Sequence, residues 1–456
     1  YVTADTFIQN WDIDPGGRFM TTIVRGVVHS FGLWDGPALQ YSPIKNDNKV
    51  FAESAAAAPA PKEEEEDARG SALLRKLMHE TNAQARARFA KFTYDAERIV
   101  IVSDQTGEDD LEVHWEDNRR MPFRLKIPSS VLGRVEDIVC SPEAPLAAVI
   151  NHRSELLIID INTGETKIAD KSGEDRGLYQ MSWSPCGNWL AFTSRRNVEV
   201  SEIKILDVRT GECRSVTNPV LSDSNPSWDP DGRYLYFLSA RELEPQYDAH
   251  SGGMNFPQTE KPYVLLLRKN VRDPHLKEIR APGDESYTES FALGDIDIDL
   301  DDNKTEKGKK KTAAATSDVA NNNDDDVDDK KSSKSSEKDE DGDEDDDDDA
   351  NDEDETDSDK PPIPTEIHFD GITERAIALP LPLGRYSDLL ALRHDRFMVV
   401  KYPTVSSGEV NLTNSEDDLD EQRGGALLLF DVRDLSAQVL VSSGVTDVHL
   451  SANRKV

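Results

Sequence analysis

Long apolar runs are missing from this chain. No stretch approaches the roughly 18–20 consecutive apolar residues that a membrane-spanning helix needs, and no signal-peptide pattern opens it. No membrane is therefore expected as a partner. Cysteine is scarce: Cys140, Cys186 and Cys213 are the three among 456 residues. An odd count without metal-ligand spacing excludes a disulfide framework or a zinc site as the organising feature. It points to reduced thiols in a cytoplasmic compartment, used as small packing residues. Positive charge is also short. Lys and Arg total 53 against 89 Asp and Glu, for a formal net charge of −36. A nucleic-acid partner would need a basic footprint, and none is visible.

Familiar chemical motifs are absent too. There is no Gly-x-Ser-x-Gly elbow, no Gly-x-x-x-x-Gly-Lys phosphate loop, no Gly-x-Gly-x-x-Gly and no His-Glu-x-x-His. Ser251-Gly252-Gly253 lies beside His250, but a nucleophile and its base must meet in space, and adjacency along the chain is weak support. His29, His114, His152 and His449 sit in or at the ends of strand-like stretches, where core or surface roles are the default. No catalytic, cofactor-binding or metal-binding residue is assigned.

What the chain does have is a repeat. Met181-Ser182-Trp183-Ser184-Pro185-Cys186-Gly187 leads into Trp189, Leu190, Ala191 and Phe192, which reads as strand, tight turn, strand. Ser, Pro and Gly at these offsets suit a type I turn. Trp228-Asp229-Pro230-Asp231-Gly232 and Trp11-Asp12-Ile13-Asp14-Pro15-Gly16-Gly17 repeat it, and eroded copies stand at Phe92 and Ile138. The turn prolines Pro142, Pro185 and Pro230 are spaced by 43 and 45 residues. A second hairpin recurs in phase, with Asp160 before Asn162-Thr163-Gly164 and Asp207 before Arg209-Thr210-Gly211. Four short strands per period of roughly 40–45 residues predict an all-β chain, a β-propeller of four-stranded blades. Two further starts, near Leu390 and Val448, bring the expected count to about seven. The Trp, Pro and Gly of the turn are read as architecture.

Two stretches break the pattern. Residues 51–86 pass from alanine and proline through Glu63–Glu66 to a segment with Leu73, Leu74, Leu77 and Met78 on one face, read as an Ala/Glu-rich helical insertion. Residues 295–360 hold 29 acidic residues against 10 lysines, which places −19 of the −36 there. Without aromatic residues, that segment cannot offset the entropy of ordering, and a disordered acidic insertion is expected. The propeller is read as spanning 1–456. Because the chain starts with Tyr1 and its last repeat is cut short at Val456, truncation at both ends is expected.

The Trp-Ser-Pro-x-Gly turn followed by Leu-Ala-Phe is similar to that of TolB-like propellers generally. Val24-Arg25-Gly26-Val27-Val28, Ser103-Asp104-Gln105-Thr106-Gly107-Glu108, Ser222-Asp223-Ser224-Asn225-Pro226 and Leu379-Pro380-Leu381-Pro382-Leu383-Gly384-Arg385 together resemble the seven-bladed propeller of tricorn proteases. That resemblance implies a large cytoplasmic serine peptidase that degrades oligopeptides, with catalytic domains C-terminal to this chain. It implies peptide substrates passing through the propeller channel, and assembly as a homo-oligomer. A different class of function stays open: a non-catalytic, protein-binding propeller using the acidic segment as a docking arm.

Overall fold

The computed structural model describes residues 8–34, 36–44, 85–172, 177–197, 199–248, 253–256, 259–271, 273, 364–403 and 424–451. Among them, six antiparallel four-stranded sheets follow one another along the chain. The first blade is β1 (Ile8–Ile13), β2 (Phe19–Val24), β3 (Val27–Gly32) and β4 (Leu39–Tyr41). The second is β5 (Ala87–Phe92), β6 (Arg98–Ser103), β7 (Asp110–Trp115) and β8 (Phe123–Arg124). The third is β9 (Val135–Cys140), β10 (Leu146–Asn151), β11 (Glu155–Asp160) and β12 (Thr166–Lys171). The fourth is β13 (Leu178–Trp183), β14 (Trp189–Arg195), β15 (Ser201–Asp207) and β16 (Cys213–Ser215). In the fifth, β17 (Asp223–Trp228) and β18 (Tyr234–Ser239) precede a small hairpin, β19 (Gln246–Asp248) and β20 (Gly253–Asn255). The fifth sheet then resumes with β21 (Lys261–Leu266) and β22 (Ala376–Ala378). The sixth is β23 (Arg385–Leu392), β24 (Arg396–Tyr402), β25 (Gly425–Asp431) and β26 (Ser436–Val445).

Among the described residues the blades number six, where about seven were expected. The seventh start, at Val448, forms no strand among the described residues. Instead Asp447 and His449 lie against β1. The Trp11 indole Nε1–H donates to Asp447 Oδ2 at 3.0 Å, and the His449 ring centroid lies 4.2 Å from that of Trp11. One start supplies at most one strand, and a blade needs three more to pair with it. The acidic insertion at 295–360 and nearly all of the helical one at 51–86 lie outside the described residues. The first joins β21 to β22, and the second joins β4 to β5.

The second strand of each blade shows why the sheets must stack. β6 and β18 are buried at every position, because apolar side chains leave both faces and a neighbouring blade covers each. The core is accordingly divided into five clusters, one in each gap between consecutive blades. Ile23 and Ile99 share one of them, as do Val102 and Ile138, Ile150 and Phe192, Ile205 and Phe237, and Tyr236 and Phe397. At roughly 25 cal/mol per Å² of apolar surface removed from water, these gaps supply the main stabilisation.

Polar hooks fix the register of one blade on the next. Trp183 Nε1–H donates to the Val139 carbonyl at 3.2 Å, and Trp228 repeats the contact one blade on, reaching the Ser182 carbonyl at 2.9 Å. The Asp12 carboxylate accepts the Phe92 N–H at 2.9 Å, and the Ser227 hydroxyl accepts the Ala391 N–H at 2.9 Å. Between the fifth and sixth blades, the Arg233 guanidinium donates to Asp229, Asp231 and Asp395, and Arg433 also pairs with Asp395. Asp229 is fully buried, and burial, opposed by Arg233, pushes its carboxyl up to about 6.

The turns behave as their residues require. Gly187 N–H donates to Ser184 O and Gly232 N–H to Asp229 O, each at 2.9 Å, and both glycines have φ of +65°. In the eroded copy Ala96 takes the same place with φ of +56°. A side chain there is strained by roughly 1–2 kcal/mol. Ala96→Gly should therefore raise stability by about 1 kcal/mol. Gly232→Ala, whose Cβ would sit 2.8 Å from Thr365 Oγ1, should lower it by about 2 kcal/mol. Shifts of opposite sign in the urea midpoint check both. The Asp229 carboxyl holds its proton to about pH 6 when folded, against about 3.9 unfolded. Its contribution to stability is thus fully present below about pH 4 and is lost as pH rises through 6. The wild type minus Asp229→Asn difference in urea midpoint should show that fall, and a flat difference between pH 4.5 and 7.5 would contradict it.

Candidate functional site

Each blade is a meander whose first strand packs against the first strand of the next, β1 on β5, β5 on β9, β9 on β13, β13 on β17 and β17 on β23. These strands therefore lie side by side in blade order, from β1 to β23, as the first strands of successive propeller blades do. Each of them breaks register near its start. The residue passed over is Gln9 in β1, Arg88 in β5, Glu136 in β9 and Gln180 in β13. In β17 it is the pair Asn225-Pro226, and in β23 the pair Asp388-Leu389. A bulge turns a side chain away from the alternating pleat and is common beside functional sites. Here six of them coincide in place, and each carries a polar residue: two Gln, an Arg, a Glu, an Asn and an Asp.

The bulged backbone is strained in three consecutive blades. Gln180, Asn225 and Asp388 have φ of +53°, +53° and +48°. Asn and Asp tolerate this left-handed region better than most side chains, and Gln does not share their advantage. Hydrogen bonds hold the collar in place. Gln180 Oε1 accepts the Asn225 N–H at 3.0 Å and the Thr193 hydroxyl at 3.3 Å, tying the fourth blade to the fifth. Gln9 Oε1 accepts the Gly26 N–H at 2.9 Å. Arg88 donates to Asp109 Oδ2 at 2.7 Å, and the same oxygen accepts the Val135 N–H at 2.8 Å, joining the second blade to the third. Glu136 is exposed.

Near the sixth blade's bulge, burial pushes the Asp388 carboxyl up, with Asp447 adding to it and the Ser387 hydroxyl, 2.6 Å away, opposing. Asp447 goes the other way, held down first by its hydrogen bond with His449. The collar thus carries amide and carboxylate groups and one guanidinium, with the Gln9 and Gln180 oxygens and the Arg88 guanidinium already engaged within and between the blades. That inventory suits hydrogen bonding to a peptide backbone.

The other residues weighed from sequence fall elsewhere. His250 and Ser251 are outside the described residues. His114 is buried with Nε2 3.2 Å from Glu112, His152 Nδ1 accepts the Arg134 N–H at 3.0 Å, and His29 lies on β3. Cys140 and Cys213 are free thiols pushed up to about 12 by burial, which suits packing and not nucleophilic attack. Among the described residues, no group of three or more His, Cys, Asp and Glu could hold a metal ion. No described helix is long and apolar enough to cross a membrane. Sequence reasoning missed the collar. Its signal is a polar residue shortly before the turn in every copy, and the identities share too little to stand out.

If Gln180 ties the fourth blade to the fifth, Gln180→Ala should cost about 1–2 kcal/mol by stranding the Asn225 N–H. Gln180→Gly, which relaxes the left-handed backbone, should cost less. Equal urea midpoints for wild type and Gln180→Ala would contradict the role.

Comparison with known proteins bears on the whole ring. The family described as the tricorn protease second beta propeller domain matches residues 69–456. A protein named as a tricorn-like protease C-terminal subunit in Sulfurisphaera tokodaii is 39% identical over 164 residues, covering 36% of this chain and 19% of its own length. A tricorn protease homolog of Saccharolobus solfataricus is 32% identical over 142 residues, covering 31% of this chain and 13% of its own. This chain thus spans a fifth or less of the length of these relatives. A crystal structure of the tricorn protease superposes over 99% of this chain and 32% of that one, with a TM-score of 0.58 at 15% identity, a likeness of fold.

Proposed function

The chain belongs to the tricorn protease second β-propeller family, and from that membership we propose that it is the substrate-gating part of a tricorn-type serine peptidase acting on oligopeptides in the cytoplasm. Its role is to sort, and bond cleavage takes place in catalytic domains C-terminal to this chain. The observation that carries the reading is the collar. Six bulges, one near the start of each blade's first strand, fall at Gln9, Arg88, Glu136, Gln180, Asn225 and Asp388. An extended peptide carries one donor and one acceptor at nearly every residue. A polar ring can exchange hydrogen bonds with it whatever its side chains, and a passage sized for one extended chain would exclude a folded protein. Selection by size with little preference for sequence follows.

The relatives bearing tricorn names support a peptidase, and the resemblance supports a homo-oligomer in which several such propellers serve one interior. Purified alone, this chain should hydrolyse no peptide. Hydrolysis that disappeared on replacing a serine within it would overturn the assignment of cleavage to other domains. In the complete enzyme, Asn225→Trp should narrow the collar. It should lower kcat/KM for a decapeptide about tenfold while leaving that for a tripeptide nearly unchanged. Equal losses for both lengths would sink the gating role.

A further inference from the structure

The fifth blade carries a feature that none of the other five shares among the described residues, the hairpin β19–β20 between its second and third strands. Gln246 pairs with Asn255, Tyr247 with Met254 and Asp248 with Gly253. The two strands form a sheet by themselves. Among the described residues no further strand pairs with either outer edge, and an unpaired edge carries backbone groups to which another strand can hydrogen-bond. Large apolar side chains stand exposed on and beside it, Met254 at 68%, Phe256 at 45% and Leu243 at 45%.

The position of the hairpin gives these features a use. In an antiparallel meander the connection from second to third strand lies at the end of the sheet where the first strand begins, and the collar bulges lie at that end. Where the excursion that holds the hairpin returns to the sheet, it is tied to that end. Glu260, just after the hairpin, exchanges two backbone hydrogen bonds with Gly384, at 3.1 and 3.0 Å. Its carboxylate Oε2 also accepts the Tyr386 N–H at 2.9 Å. Gly384 immediately precedes β23, and Tyr386 stands two residues before the collar's Asp388. The start of β21, to which the hairpin leads, is thus fastened to the strand that carries part of the collar.

Two short open edges and three exposed apolar side chains are too little surface for a folded partner, whose stable interfaces bury about 800 Å² on each side. They suit a single extended chain, which gains main-chain hydrogen bonds from an edge and seats alternate side chains beside it. We propose that β19–β20 is a capture strand for extended oligopeptides. It pairs a peptide along an open edge and holds an apolar side chain of that peptide against Met254 and Phe256, next to the collar. The proposal rests on the gating reading and adds a preference, for peptides with apolar or aromatic residues over wholly polar ones.

The test is fluorescence anisotropy on the full chain with a fluorescein-labelled decapeptide of alternating Phe and Ala. Met254→Ser with Phe256→Ser, both at exposed positions, should weaken binding about tenfold and leave the melting temperature unchanged. Ile168→Ser, on the exposed outer strand of the third blade, should bind as wild type. A decapeptide with proline replacing every alanine lacks those backbone donors and should bind wild type several-fold more weakly. If wild type binds and the double variant binds equally, the capture role is overturned while gating stands. Equal affinity for the proline peptide would overturn strand pairing. If wild type does not bind the decapeptide, both readings fall.

Discussion

Everything in this molecule depends on the fact that no blade can cover itself. A four-stranded sheet with apolar side chains on both faces, such as the one built around Tyr234–Ser239, is stable only when a second sheet lies on each side. Five gap cores meet that demand between consecutive blades. The hooks act on register more than on total stability. A single neutral hydrogen bond contributes about 1 kcal/mol, much less than a gap core, but Trp183 and Trp228 each fix where one first strand lies against the previous one. Because cohesion lies in the gaps, long segments can enter at the connections, as the acidic stretch 295–360 does between β21 and β22.

That division explains what the sequence could reveal. Turn geometry is local, and a turn's residues report it directly. Gly187 and Gly232 hold the left-handed φ their motif implies, and Gly164 and Gly211, at +76° and +77°, do the same for the second hairpin. The period, the four strands and the sheet-on-sheet stacking follow from the repeated turns. Blade count is not local. A start such as Val448 is one strand's worth of pattern, whereas a blade exists only when three further strands pair with it. The Trp183 turn, the strongest signal in the chain, proved to be a joint between blades.

The collar was illegible for a related reason. A bulge is a relation between two strands, and neither strand states it alone. Gln, Arg, Glu, Asn and Asp all satisfy the position, so no repeated letter marks it. The hairpin β19–β20 hid within an irregular excursion in the fifth blade because strands of three residues carry too little periodicity to read. Both features lie where chain topology brings the beginnings of the first strands together, and both gain meaning only from that placement. Strain at Gln180, Asn225 and Asp388 is tolerated where neighbouring blades over-determine the backbone, which is the setting in which function and strain commonly coincide.

The central claim is that peptides meet this propeller at its collar. The most direct measurement replaces Asn225 with a photo-crosslinking phenylalanine derivative in the complete enzyme, irradiates during turnover of a labelled oligopeptide, and maps the adducts by mass spectrometry. The account predicts labelled peptide covalently joined at position 225, in competition with unlabelled substrate. The same probe placed at Ile168, on the outer strand of the third blade, should capture none. Equal capture at both positions, or active turnover with no adduct at 225, would contradict it.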